Sequence, residues 1–434
     1  MNITVVGTGY VGLVTGACFA EFGNHVTCVD KDLDKIDMLK QGTVPIYEPG
    51  LADLVERGVR ASRLEFGVDL PKAIRDSVVV FIAVGTPQGN NGRADLSFVK
   101  DVARTVAENL NSYKVVVTKS TVPAGTGREI RRIVEECRTD AYPFSVASNP
   151  EFLREGSAIE DFMRPNRVVL GCEDEMAVAI LRDLYRPLYL IETPFVITDV
   201  VTAEMIKYVS NAFLATKISF VNEVADLCEK VGADVHEVAK GIGLDQRIGR
   251  KFLHPGPGFG GSCFPKDTRA LIELAREHGL DFKIVQAVIE VNGQRIPKML
   301  DKVRTAVDGG LSGRTVGLLG LTFKPNTDDL RASPAVAVLE GLLEEGACVR
   351  VYDPVAMPIA ARTQRSRVVY CRDEYDAAEG AEALVVATEW NQFRGIDIDK
   401  LKTRLKAPVI VDLRNVYEPS VMKARGFRYY GVGR

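Results

Sequence analysis

Residues 2–30 limit the possible folds more tightly than any other stretch. A short apolar, β-branched run, NITVV, leads into Gly7-Thr8-Gly9-Tyr10-Val11-Gly12. An apolar helical segment, LVTGACFAEFG, comes next, then a second strand, HVTCVD, ending on Asp30. The order is strand, G-x-G-x-x-G, helix, strand, with an acid 18 residues after the last glycine. A lone G-x-G-x-x-G is a weak signal, but here each part has a task. The glycines admit a tight turn and a close pyrophosphate, the helix N-terminus faces the phosphates, and Asp30 can accept both ribose hydroxyls. An acid at that point repels a 2′-phosphate, so NAD is expected over NADP, with the Lys35 cation partly offsetting the repulsion.

The α/β alternation continues. SVVVFIAVGTP (77–87) reads as a buried strand ending in Gly85-Thr86-Pro87, at the carboxyl edge where open sheets bind ligands. DLSFVKDVARTVAENL reads as a helix, and YKVVVTKSTVPAGT as a strand with Thr121 in the loop after it. FSVASNPEFLREGSA is a strand feeding Asn149-Pro150-Glu151. Glu151 and Glu155 stand four apart and would face one site if this piece is helical.

From Val200 to Val231 the pattern is helical throughout, with no Gly or Pro before Gly232. A helix of about 30 residues spans roughly 45 Å, too long for one compact domain. Its broad apolar surface predicts a connector and a dimer interface. Lys207 and Asn211 lie one turn apart on one face. Beyond it comes FLHPGPGFGGSCFPKD (252–267), where Cys263 follows a run of glycines and precedes Pro265, a residue suited to a first helical turn. The next residues, DTRALIELAREHG, read as that helix. A helix N-terminus and Lys266 both favour a thiolate, and Asp267 can face Cys263 across one turn, so Cys263 is a candidate nucleophile. DFKIVQAVIEVNGQRIPKMLDKVRTAV predicts a further helical stretch bent at Pro297. After the linker-like DGGLSGR, a second α/β unit runs from TVGLLGL to a last strand, PVIVDL. It lacks the glycine motif and carries Lys324 and Arg331 past a strand end, so it predicts another doubly wound sheet with a different ligand.

The net charge is −3, which gives no bulk field for nucleic acid. The eight cysteines form no C-x-x-C pair, the four histidines add no metal-type cluster, and no metal is expected. With no signal-like start and no uncharged apolar run near the roughly 20 residues of a membrane span, the chain reads as a reduced, cytosolic protein with no membrane partner.

These motifs together identify a resemblance. G-T-G-Y-V-G, A-V-G-T-P, S-T-V-P-A-G-T, S-N-P-E-F-L-R-E-G, A-E-M-I-K-Y-V-S-N, G-F-G-G-S-C-F-P-K-D and F-K-P-N-T-D-D-L-R occur in the order found in the UDP-glucose/GDP-mannose dehydrogenases, and the match covers nearly the whole chain. The resemblance implies an α/β protein of two Rossmann-like doubly wound domains joined by a long central helix. Its parts would be an NAD-binding domain over 1–198, a helical dimerisation region with the cysteine loop over 199–307, and a UDP-sugar domain over 308–434. Gly7, Gly9, Tyr10, Val11, Gly12, Asp30, Lys35, Thr86, Thr121, Glu155, Lys266 and Arg331 would line the NAD site. Glu151, Phe152, Leu153, Arg154, Glu155, Lys207, Asn211, Phe252, Leu253, His254, Pro255, Gly256, Gly260 and Lys324 would hold the sugar nucleotide. Arg247 would reach the substrate of the neighbouring subunit in a homodimer or higher homo-oligomer.

The resemblance also implies chemistry. A 6-hydroxyl is oxidised to an aldehyde, Cys263 captures it, the adduct is oxidised to a thioester, and water releases a carboxylate. Lys207 and Asn211 would stabilise the oxyanion, while Asp267, Glu151 and Thr121 would handle water and protons; the base of the first oxidation is left open. UDP-glucose is the expected substrate, with GDP-mannose or a UDP-N-acetylhexosamine as alternatives; Ser262, where the N-acetylhexosamine branch carries histidine, counts against the last. A two-electron 3-hydroxyacid dehydrogenase would share the first domain and the long helix but would need neither the cysteine nor the second α/β unit. A silent sensor would be expected to lack Cys263, Lys207 or Asp267.

Overall fold

The computed structural model describes residues 1–89, 93–363 and 365–434. The chain divides into two compact units: Met1–Ser210 with Glu273–His278, and Asn211–Ile272 with Gly279–Arg434.

The first unit is built on one sheet of β1 (Asn2–Val6), β2 (His25–Val29), β3 (Leu64–Gly67), β4 (Val79–Ile82), β5 (Lys114–Thr118), β6 (Phe144–Ser148), β7 (Val168–Cys172) and β8 (Phe195–Thr198), in the order β3-β2-β1-β4-β5-β6-β7-β8. Neighbours run parallel except β6 and β7. Parallel strands covered on both faces need near-continuous apolar runs, and VVFI of β4 and the wholly buried β5 supply them. The order reverses between β1 and β4, so a crevice opens past their carboxyl ends, where such folds bind ligands. Helix α1 (Tyr10–Glu21) joins β1 to β2 and buries Phe19, whose ring lies 5.2 Å from Phe81 and 5.1 Å from both Phe162 and Tyr185. Helix α2 (Thr126–Cys137) follows β5, and the short α3 (Ala158–Met163) precedes β7. Strands β7 and β8 fall outside the sequence reading: one turns antiparallel and the other is a four-residue edge strand with its central pair exposed.

Helix α4 (Val200–Val231) runs unbroken for 32 residues, as the pattern predicts, and carries the chain from the first unit into the second. Helix α5 (Phe264–Glu277) begins one residue after Cys263. The stretch expected to bend at Pro297 is two helices, α6 (Lys283–Gly293) and α7 (Arg295–Ala306). The break falls at Gln294, because Pro297 sits in the first turn of α7, where its missing N–H costs nothing. The second sheet comprises β9 (Thr315–Leu319), β10 (Cys348–Tyr352), β11 (Val368–Tyr370), β12 (Ala383–Val386), β13 (Val409–Asp412) and β14 (Arg428–Tyr430), with α8 (Pro334–Glu344) after β9. Its order, β11-β10-β9-β12-β13-β14, is parallel throughout and repeats the arrangement of the first six strands. The chain does not end its sheet at PVIVDL: β14 pairs beyond β13, and three residues are too few to show a period. Among the described residues no helix is long and apolar enough to cross a membrane.

One glycine fixes where α4 starts. A Cβ on Gly171 of β7 would lie 2.5 Å from the Ala203 Cβ, 2.8 Å from the Asp199 carbonyl oxygen and 2.9 Å from the Val200 Cα. Two of these are backbone atoms and cannot swing away, so Gly171→Ala should destabilise the protein by about 2–3 kcal/mol. Thermal denaturation should show a midpoint lower by roughly 5–10 °C; an unchanged midpoint would contradict the packing described.

Candidate active site

In the first unit the glycine turn is held from two sides. Gly7 has φ +104° and its N–H donates to the Val29 carbonyl at 2.7 Å. A Cβ on Gly12 would lie 1.9 Å from the Gly7 carbonyl oxygen, so α1 can start there only with glycine. In front of Gly9, by contrast, a Cβ would meet open space. The approach at Gly9, just before α1, is therefore clear to 4 Å, and helix N-termini suit phosphates. Asp30 stands at the end of β2. Its Oδ2 accepts the Thr8 N–H at 2.7 Å and the Thr8 hydroxyl at 2.8 Å, and its Oδ1 accepts the Asp32 N–H at 3.1 Å. Burial works to raise this carboxyl, but those hydrogen bonds and the Lys35 cation outweigh it and hold the group below the usual range. An ionised acid is thus fixed at the strand end, with Lys35 paired to Asp32 at 3.3 Å. The Thr86 hydroxyl donates to the Thr121 carbonyl at 2.9 Å, tying the loops after β4 and β5 together.

The segment after β6 is not helical, so Glu151 and Glu155 are not one-turn neighbours on a helix. Pro150 and a local turn account for this: Glu151 Oε2 accepts the Leu153 N–H at 2.6 Å, and its Oε1 accepts the Lys207 ammonium of α4 at 2.8 Å. Lys207 also donates to the Glu151 carbonyl at 2.6 Å. Both side chains are almost wholly buried, so each charge depends on the other. The Phe152 ring lies near the Lys207 ammonium, with Arg167 stacked on it at 3.5 Å. Arg154 points elsewhere and pairs with Asp161 at 2.6 Å.

Two residues of this unit escaped the sequence reading. Glu48 is buried, hydrogen-bonded to the Tyr10 hydroxyl, and accepts the N–H groups of Gly156 at 2.6 Å and Ala158 at 2.8 Å. It joins the glycine turn to the loop carrying Glu155. The one available signal was an acid directly before Pro49-Gly50. Lys119, two residues before Thr121, is fully buried and donates to Asn149 Oδ1 at 2.9 Å and to the Tyr185 hydroxyl at 3.2 Å.

In the second unit, residues 255–261 are buried without belonging to a helix or strand. Phe252 adopts φ +66°, a strained value for an aromatic residue. Its ring packs against Phe264, which also meets Phe259 edge-on. A Cβ on Gly260 would lie 2.1 Å from the Ala332 carbonyl oxygen, so the loop rests directly on the segment before α8. Gly256 lies beside Arg414, a third residue the sequence reading missed. Arg414 donates to the Ala387 carbonyl at 2.9 Å and to the Phe323 carbonyl at 3.1 Å, linking the segments after β12 and β9. A cation just past β13 was the signal, the same one that marked Lys324 after β9.

Cys263 is half-buried and immediately precedes α5. The Asp267 N–H donates to the Cys263 carbonyl at 2.8 Å, closing the first helical turn. The Asp267 carboxylate is fully buried, accepting Asn211 Nδ2 at 2.6 Å and the Lys266 ammonium at 2.7 Å. The side chains of Asn211, Lys266 and Asp267 are thus brought together, and Cys263 joins them through its carbonyl. Arg331 pairs with Asp329 at 2.8 Å, Lys324 lies over the Phe323 ring at 5.3 Å, and Arg247 is exposed and paired with Asp245 at 2.6 Å. Leu253 and Pro255 are buried, and His254 is exposed.

Comparison with known proteins fits this geometry. Residues 1–189 match the NAD binding domain of the UDP-glucose/GDP-mannose dehydrogenase family, 201–294 its central domain and 317–419 its UDP binding domain. The chain belongs to that family. It is 54% identical over 437 residues to a UDP-glucose 6-dehydrogenase of Rhizobium meliloti (strain 1021), with all of both chains covered. It is 51% identical to the UDP-glucose 6-dehydrogenase TuaD of Bacillus subtilis (strain 168), covering 100% of this chain and 93% of that one. A solved UDP-glucose dehydrogenase from Pyrobaculum islandicum superposes with a TM-score of 0.90 at 42% identity, covering 99% of this chain and 97% of the other. The protein is therefore an NAD-dependent dehydrogenase with a UDP-binding domain, and the glycine turn, the open approach at Gly9 and the ionised Asp30 suit NAD.

Lys119 gives this dehydrogenase a measurable pH signature. Burial pushes its ammonium down to about 7, with the Lys207 cation adding to the effect against the Glu151 carboxylate. A lysine depressed on folding contributes stability above its unfolded value that is lost as pH falls towards its folded one. Relative to Lys119→Met, the parent should therefore gain up to about 1.4 kcal/mol per pH unit between roughly pH 7 and 9. Tyr185 still donates to Asn149 at 2.6 Å, so the variant keeps that carbonyl satisfied. Paired thermal melts across this range check it; a parent–variant gap that stays flat would contradict a neutralised Lys119.

Proposed function

We propose that this chain is a UDP-glucose 6-dehydrogenase, oxidising UDP-glucose to UDP-glucuronate through a covalent adduct on Cys263. The observation that carries the proposal is the setting of Cys263, with the buried Asp267 carboxylate one turn on, held by Asn211 and Lys266. The names of the relatives support the same substrate. Three functional parts follow, a cofactor domain over 1–198, a central helical region over 199–307 and a nucleotide domain over 308–434.

Bound NAD supplies the hydride acceptor of both oxidations. Gly7, Gly9, Tyr10, Val11, Gly12, Asp30, Lys35, Thr86, Thr121, Glu155, Lys266 and Arg331 would hold it. Once the 6-hydroxyl has become an aldehyde, the Cys263 thiolate adds to its carbon, forming a C–S bond and leaving negative charge on oxygen. Lys207 and Asn211, one turn apart on α4, stabilise that oxygen; one such donor typically contributes about 3 kcal/mol. The adduct gives up its second hydride and becomes a thioester. Water adds, the C–S bond breaks, the thiolate is regenerated and the carboxylate leaves, with Asp267, Glu151 and Thr121 steering water and protons. The sum consumes one water and two NAD per sugar and releases two NADH and three protons. Both reactants are soluble metabolites, which assigns the reaction to the cytoplasm, and cell fractionation would find otherwise if it were membrane-held.

Turnover should therefore yield two NADH per UDP-glucose, with NAD favoured over NADP in parallel assays because Asp30 is ionised. Cys263→Ala should lose nearly all uronate formation, and Cys263→Ser should accumulate an ester visible as added mass on the intact protein. GDP-mannose and UDP-N-acetylated sugars belong in the same assay. Uronate formation by Cys263→Ala at the parent rate would end the proposal, and faster turnover of another sugar would reassign the substrate.

The assembly follows from α4. Val209, Phe213, Phe220, Leu227 and Val231 recur along one face and are 47–67% exposed. Apolar side chains lined up on a long helix need a partner, and we assign them to a homodimer in which Arg247 serves the neighbouring subunit's substrate. Sedimentation at micromolar protein should give twice the chain mass, and Phe213→Glu with Phe220→Glu should halve it; a fully active parent monomer would refute this.

A further inference from the structure

We infer that Asn292 is a positioning residue for Cys263; the inference rests on the proposed role of that cysteine. In the loop from Phe252 to Cys263, residues 255–261 are buried and have no strand to pair with, so their N–H and C=O groups need other partners. Asn292, in the last turn of α6, supplies two of them at one residue. Its Oδ1 accepts the Phe259 N–H at 2.8 Å and its Nδ2 donates to the Phe259 carbonyl at 3.1 Å. This is the pairing one strand gives another, made here by a carboxamide. Only an amide offers donor and acceptor together in that geometry. Gly258 makes room for it: φ is +107°, and a Cβ there would lie 2.6 Å from Asn292 Oδ1. One turn on, the buried Arg295 donates Nε to the Gly256 carbonyl at 3.1 Å, while Asn222 Oδ1 accepts the Gly256 N–H at 2.8 Å. The Gly261 N–H donates to the Arg331 carbonyl at 3.1 Å. The Phe259 ring is fixed as well, packed with Ala215 and Val288.

The loop is therefore pinned at Gly256, Phe259 and Gly261, and Asn292 makes the Phe259 pin through both its N–H and its carbonyl. The pins at Phe259 and Gly261 stand between the substrate stretch 252–256 and Cys263, and the one at Phe259 carries two of the three hydrogen bonds there. Loosening it should move the thiol and the adjacent Gly260 more than residues 252–256, and so alter kcat more than KM. Asn292→Asp is the sharpest probe. It keeps the shape and the acceptor, but its carboxylate faces the Phe259 carbonyl with no proton to share; acid restores the donor.

The test uses the full-length chain, with Asn292→Ala and Asn292→Asp beside the parent. Iodoacetamide labelling followed by peptide mass mapping gives the rate at Cys263 relative to the exposed Cys348, an internal control. Both variants should shift that ratio by at least about threefold and lower kcat for UDP-glucose by about tenfold or more, with KM and NAD affinity held within about threefold. The kcat deficit of Asn292→Asp should shrink from pH 8 to pH 6, measured against the parent at each pH. Should Asn292→Ala not fold, the isosteric Asn292→Asp decides the matter. A labelling ratio and kcat equal to the parent's would overturn the inference, as would a kcat deficit in Asn292→Asp that does not change with pH. Labelling needs no substrate, so it tests the anchor even if the parent oxidised no nucleotide sugar, a result that would sink the proposed function separately.

Discussion

The structure depends on a helix that buries polar side chains among its apolar ones. Along α4, Glu204, Lys207, Asn211, Ser219 and Asn222 are buried, while Phe213, Phe220 and Leu227 are exposed. A buried polar side chain must find a partner or pay for its lost water, which makes each of these positions a tether. Glu204 accepts the N–H groups of Gly125 and Gly127 at the start of α2, and burial pushes its carboxyl up to about 7 despite them. Lys207 holds Glu151, Asn211 holds Asp267, Ser219 donates to the Val288 carbonyl, and Asn222 holds Gly256. Asp226, one turn further, takes Arg295 at 2.6 Å and Lys298 at 2.5 Å. Within the first unit α4 thus holds the start of α2 and the loop of Glu151, and within the second it holds Gly256 and the helices α5, α6 and α7.

That arrangement explains how the loop before Cys263 can be buried and irregular at once. Its glycines permit close approach, but they also make the unfolded chain more mobile, so the loop is costly to order. Phe252 adds strain of about 1–3 kcal/mol. The compensation comes from anchors on α4, α6 and α7, and from the rings of Phe252, Phe259 and Phe264 packed tilted and edge-on. Removing an anchor would leave N–H and C=O groups unpaired in a dry setting, where each missing bond costs more than an ordinary exposed one contributes.

What could be read from the sequence follows the range of the interactions. The turn at Gly7 to Gly12, the strand ending at Asp30 and the helix start after Cys263 are local chemistry, and all three were legible. The uninterrupted α4 was legible from its period and its lack of glycine and proline. The failures have a common cause. Glu151 and Glu155 looked like helical neighbours because only their spacing was visible, whereas the Lys207 ammonium and the Leu153 N–H draw Glu151 into a turn. Strands β8 and β14, of four and three residues, are too short to display a pattern, and β7, as long as β1, pairs antiparallel with β6, a pairing no local motif records. Glu48, Asn292, Arg295 and Arg414 act on backbone groups 27 to 110 residues away, a relation no local motif records.

The charges at the site are arranged the same way as the loops. Lys207 is paired with Glu151 in the first unit, and Asp267 with Lys266 and Asn211 in the second. Each buried charge is met by a partner within the fold, where a lone one would be costly. The desolvation of Lys207 is therefore met during folding and does not recur in each turnover. In the proposed reaction its ammonium meets a developing oxyanion with little water to reorganise, the condition under which an electrostatic contact is worth most.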